Sequence, residues 1–206
     1  MTRITTLLLA AGATDAMCGA ANAADPRYPD WPCVQAKVPE LSVAAVWAGP
    51  SIDAVGDTWK NDPKVRDLVA RLAVRRTPLE EAQKAAGDFV AASGADKAEK
   101  AKLLFAGLFQ QLNAQRTEVM GGIDRITHNE KELADKIRAD RAALGELQDK
   151  PDPDQHQIDE VANRLKWGTQ IYEDRRKTIR YVCDVPTEIE RRLFALGRAI
   201  TQAAAQ

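Results

Sequence analysis

From Phe105 onward, apolar residues recur in steps of four and three. The series is Phe105, Phe109, Leu112, Arg116, Val119, Ile123, Ile126, Glu130, Leu133, Ile137, Asp140, Leu144 and Leu147, apolar except at Arg116, Glu130 and Asp140. A 3.5-residue repeat held over about six heptads is the pattern of a coiled-coil seam, because that period keeps one stripe facing a partner helix. No proline lies between Asp96 and Asp149, so one long helix is expected across the span. Gly121-Gly122 tests this expectation, since two interior glycines weaken a helix by roughly 2 kcal/mol relative to alanines. Leu112, Val119, Ile123 and Ile126 keep register across the pair, which argues for continuity. Close approach of another backbone then accounts for the glycines.

A second run, Ile158, Val161, Leu165, Gly168, Tyr172, Arg175, Ile179 and Val182, repeats the alternation. Between the two runs, Asp149-Lys150-Pro151-Asp152-Pro153-Asp154 reads as a tight turn, with Asp154 as N-cap of the returning helix. Matching stripes joined by a short turn make an antiparallel hairpin. Its arms, leaving at Val119 and returning to Cys183, would reach roughly 45 Å at 1.5 Å per residue. Counting outward from the turn sets Asp140 beside Arg164 and Glu130 beside Arg175. Glu130 and Arg175 are therefore a candidate seam ion pair that fixes register. Pro186 is expected to break or kink the return helix, with Thr187 restarting it. Ile189, Leu193, Leu196 and Ile200 carry the stripe on beside Phe105 to Leu112, and residues 201–206 are expected to fray.

Two shorter helices precede the hairpin. Lys64 to Arg75 carries Val65, Leu68, Val69 and Leu72 at i, i+3, i+4, i+7. Thr77-Pro78-Leu79-Glu80 reads as a helix start, with Thr77 as cap and Pro78 in the first turn, and Ser93-Gly94 closes that helix after about Ala92. Residues 24–61 differ. Three prolines between Asp25 and Cys33 exclude a helix and predict extended chain, and Leu41 to Trp47 fits one helical turn or a short strand equally. The expected fold is all-α. It has a small helical bundle (62–118 with 184–206), a long antiparallel coiled-coil hairpin (119–183) and an irregular, proline-rich N-terminal arm (24–61) packed on the bundle. More than about 65% of the mature chain should be helical.

Composition agrees with packed helices: aromatics are 5% of 206 residues and alanine is abundant. The balance of 29 basic and 30 acidic side chains removes the electrostatic footprint of a nucleic-acid binder, so no nucleic acid is expected as a partner. Residues 1–23 read as a signal peptide: Arg3, an apolar run from Leu7 to Ala13, then Ala21-Asn22-Ala23 before the cleavage point. Export to the periplasm or beyond follows. The apolar run is far short of the ~20 residues that span a bilayer, no other stretch is apolar enough, and Cys18 lacks a lipobox. Loss of the leader leaves Cys33 and Cys183. An even pair in an oxidising compartment is most simply a disulfide; unrelated thiols or a catalytic cysteine are the alternatives. With Val182 and Cys183 counted opposite Gly121 and Gly122, the glycines would admit the arm and bring Cys33 within reach.

Little else in the chain carries chemistry. His128 and His156 lie on different helices, with no i+4 carboxylate completing a ligand pair, so no metal is expected. The aspartate-rich turn lacks the glycine and terminal glutamate of a calcium loop. Phosphate loops, nucleophile elbows and zinc-protease motifs are missing, and no cofactor is implied. Arg175, Arg176, Lys177 and Arg180 are interspersed with Glu173, Asp174 and Asp184 and read as a solvated face. Two function classes remain. The first is an exported non-enzymatic protein whose hairpin engages an envelope protein partner as adaptor, scaffold or chaperone, with homo-oligomerisation left open. The second is an envelope enzyme or accessory subunit with a pocket between arm and bundle, lined by Tyr28, Trp31, Trp47 and Trp59. The lack of a catalytic constellation favours the first.

Overall fold

A computed structural model describes residues 25–206; the expected leader, with Cys18, lies outside the described residues. Of the described residues, 75% are helical and none is in a strand. Four α-helices follow the arm: α1 (Pro63–Leu72), α2 (Leu79–Ala91), α3 (Lys97–Gln148, 52 residues) and α4 (Gln155–Ala205, 51 residues). Short 3-10 turns sit at Val43–Ala45, Thr58–Asn61 and Gly94–Asp96. No described helix is long and apolar enough to cross a membrane.

Asp62 starts α1 by accepting from the backbone N–H groups of Lys64 (2.9 Å) and Val65 (3.1 Å), with Pro63 at the first helical position. Its predicted stripe, Val65, Leu68, Val69 and Leu72, is buried. The helix stops at Leu72 instead of Arg75, and the reason is tertiary. Arg192 of α4 donates from Nε to the Leu72 carbonyl at 2.9 Å and from Nη1 to the Thr77 carbonyl at 3.0 Å, replacing the intrahelical donor that a further turn would supply. Thr77 does not cap α2. Its hydroxyl donates to the Arg71 carbonyl (3.4 Å), and Pro78 holds the cap position with its carbonyl bonded by Ala82 N–H. Gly94 ends the α2 segment at φ +57°, a conformation glycine adopts without strain.

The core forms where α1, α2 and the arm pack on the lower halves of α3 and α4. Leu104, Phe105, Leu108 and Leu112 face Leu193, Leu196 and Ile200, all buried. Trp47 stacks on Phe105 with centroids 4.2 Å apart. Trp59 closes over Gly107, and its indole N–H donates to Gln110 Oε1 at 2.9 Å. A side chain at Gly197 would lie 2.5 Å from the Val46 carbonyl oxygen. That is the glycine at which the arm backbone comes close.

Three expectations need correction here. Gly121 and Gly122 admit no backbone: a Cβ at either would meet only the end of the Arg125 side chain, at 3.4 and 3.8 Å, although α3 does run through them unbroken. Pro186 does not interrupt α4, which is helical from Gln155 to Ala205. The ring removes the donor for the Val182 carbonyl, and the Gln35 side-chain amide donates to the next carbonyl, that of Cys183. The C-terminal residues do not fray before Ala205, because Ala203 is buried near Gly87.

The arm is not extended throughout. Tyr28 N–H bonds the Asp25 carbonyl (2.8 Å) and Trp31 N–H bonds the Tyr28 carbonyl (3.0 Å), two successive turns with Pro26 and Pro29 at the position where a fixed φ favours a turn. Nor does all of it lie on the bundle. Residues 25–38 attach to the hairpin, while Val46, Trp47, Ile52, Val55 and Trp59 enter the bundle core.

Replacing Gly121 and Gly122 together by alanine should raise stability by about 1–2 kcal/mol, whereas Gly197→Ala should lower it, both read from urea midpoints. The Asp62 carboxyl is held below its ordinary range chiefly by the hydrogen bond from Lys100 Nζ at 2.6 Å. A lowered native value means the stabilisation is fully present above the unfolded pKa of ~3.9 and is lost as pH falls through the native value. Asp62→Asn, which can still cap, should therefore be less stable than wild type at pH 7, with the gap narrowing in acid.

Candidate interaction surface

Along the hairpin the two stripes meet as the heptad count requires. Met120, Ile123, Ile179 and Cys183 are buried near the base. Towards the turn, Leu133, Ile137, Leu144, Leu147, Ile158 and Leu165 are only half-buried, with Val161 the buried exception. Two helices alone cannot enclose a seam, since each stripe keeps its flanks in solvent. Asp154 caps the returning helix, accepting from His156 N–H (2.9 Å) and Gln157 N–H (3.2 Å).

Polar positions set the register. Arg164 reaches Asp140 Oδ1 with Nε at 2.8 Å and Nη2 at 2.7 Å, and this bond raises the guanidinium pKa. Arg175 Nη1 stands 3.5 Å from Glu130 Oε1 without making a hydrogen bond. Both pairs fall where counting from the turn put them. Arg116 is 1% exposed; its Nε donates to Glu190 Oε1 at 2.5 Å, and its other nitrogens donate to the carbonyls of Val38 and Pro39. One buried guanidinium thus joins α3, α4 and the arm, and Glu190 is a partner that the stripe pattern did not mark. Arg192 is a second buried arginine with no carboxylate partner among the described residues, and burial pushes its pKa down.

The arm is fastened to the base of the hairpin. Cys33 and Cys183 are joined, with Cα atoms 5.5 Å apart. Lys37 bonds Asp124 at 2.8 Å and lies 4.7 Å from the Tyr28 ring centroid and 5.3 Å from that of Trp31. The Trp31 indole donates to the Gln35 carbonyl at 2.8 Å, and Asp30 pairs with Lys131. The four arm aromatics do not share a pocket. Tyr28 and Trp31 bracket Lys37 beside the hairpin, while Trp47 and Trp59 are buried in the bundle core. Both histidines do have an i+4 carboxylate, Glu132 for His128 at 3.4 Å and Glu160 for His156, and all four side chains are exposed.

An outward stripe on α4 went unread in the sequence. Trp167, Ile171 and Tyr181 are 65%, 44% and 77% exposed. Four and then ten residues apart, they share one helix face, because 14 residues make close to four turns. The available signal was a tryptophan off the seam, two positions beyond Leu165. Arg175, Arg176, Lys177 and Arg180 are exposed, with Lys177 paired to Asp174 at 3.2 Å. Comparison with protein-family models, curated proteins and solved structures finds no match to this chain.

Cys33→Ser should free residues 25–38 while leaving helical circular dichroism nearly unchanged. Tryptic cleavage after Arg27 and Lys37 should accelerate, and unfolding stability should fall by up to about 5 kcal/mol, the chain-entropy figure for a loop of this length.

Proposed function

We propose that this chain is an exported interaction protein that engages an envelope protein partner through its hairpin, as an adaptor, scaffold or chaperone-like arm. Two observations carry this reading: towards the turn the hairpin seam is half-open, and from mid-hairpin to its base α4 turns Trp167, Ile171 and Tyr181 outward. Exposed aromatic and aliphatic side chains aligned on a stiff helix are suited to receive the apolar face of another helix. Near-neutral charge fits a protein partner better than a polyanion. The Ala21-Asn22-Ala23 leader pattern and the Cys33–Cys183 bridge support export, since such bridges persist in oxidising compartments.

Shortening both arms by whole heptads within 134–166 should abolish capture of the partner from envelope extract while the bundle keeps its cooperative unfolding. Trp167→Ala with Ile171→Ala should weaken capture about tenfold or more and shift stability by no more than about 0.5 kcal/mol. Unfolding of the shortened protein, or undiminished capture by the double variant, would overturn the reading.

A further inference from the structure

A second site lies at the base of the hairpin, where the arm crosses it, and it owes nothing to the outward stripe. Pro32 of the arm, Glu130 of α3, and Tyr172, Arg176, Ile179 and Arg180 of α4 line a cavity of about 330 Å³. This volume falls within the range of small-ligand sites. The Glu130 side chain is 8% exposed, and neither carboxylate oxygen has a hydrogen-bond partner among the described residues. Arg175 Nη1, 3.5 Å from Oε1, pairs with this carboxylate in charge but donates no hydrogen bond to it. A buried carboxylate with one long ion pair and no hydrogen bond stays under-satisfied until donors reach it.

The rim has the opposite charge. Arg176 and Arg180 are exposed, sit one turn apart on the same face of α4, and have no carboxylate partner among the described residues. Lys131 is already paired with Asp30. A simple cation entering towards Glu130 would have to pass two guanidinium groups. A simple anion held by those groups would leave Glu130 unsatisfied. Only a ligand carrying both charges satisfies the buried acceptor and the rim donors together. The remaining wall is formed by Pro32, Ala134, Ile179 and the Tyr172 ring, with Thr127, whose hydroxyl already donates to the Ile123 carbonyl at 2.9 Å.

We propose that this cavity binds a small zwitterion of the α-amino-acid type, its ammonium on Glu130, its carboxylate on Arg176 and Arg180, and an apolar side chain against Tyr172 and Pro32. An ammonium brings three donors to the two idle carboxylate oxygens, and a carboxylate matches the planar fork of an arginine.

Calorimetric titration of the disulfide-bonded protein with L-leucine and L-phenylalanine tests this directly. N-acetyl-L-leucine, which lacks the ammonium, and L-leucinamide, which lacks the carboxylate, serve as comparisons. Saturable binding of the free amino acids is expected, with each blocked analogue weaker by about tenfold or more. Glu130→Gln should weaken L-leucine binding to a similar degree, and so should Arg176→Ala with Arg180→Ala. Both arginines are exposed, so the double variant decides the matter if Glu130→Gln fails to fold. Absence of binding at millimolar amino acid, equal binding of the blocked analogues, or indifference to the arginine variant would overturn the proposal.

Discussion

A helix of 52 residues orders far more backbone than its own hydrogen bonds can compensate, so α3 persists only where something covers its apolar stripe. α4 covers it, and the remaining elements take their places from that pairing. Below Arg116, α1, α2 and the second half of the arm complete the enclosure, and Leu104, Phe105, Leu108 and Leu112 are fully buried. Beyond Glu130 only the two helices remain, and burial falls to half. The same seam is therefore core at one end and accessible surface at the other.

Charged groups mark that transition. Arg116 is buried at the boundary with Glu190 and two arm carbonyls as partners, while Glu130 lies further out with its oxygens unbonded. A satisfied buried ion fixes register and joins elements; an unsatisfied one is held at a cost that the surrounding fold must sustain. The contrast between these two seam positions separates a structural role from a candidate binding role.

The arm is held by side chains because its turns leave it few backbone bonds of its own. The Cys33–Cys183 bridge, the Lys37–Asp124 pair and the Arg116 contacts fasten residues 25–39, and Trp47 and Trp59 anchor the rest by burial. Local propensity contributes little to such a segment, so its path is decided by where these anchors find partners.

Periodicity alone determined the two long helices, their turn and the pairings of Asp140 with Arg164 and Glu130 with Arg175, while the cysteine bridge was legible from an even pair left after the leader. The helices and pairings are legible because a heptad repeat and a short turn convert sequence distance directly into spatial register. Other features depended on contacts between residues far apart in the chain. Arg192 ends α1, Gln35 bonds the carbonyl beside the one Pro186 leaves free, and Val46 demands glycine at 197. The cavity around Glu130 belongs to the same class. Spacing can place a carboxylate on a stripe, but only packing decides whether its oxygens meet a donor.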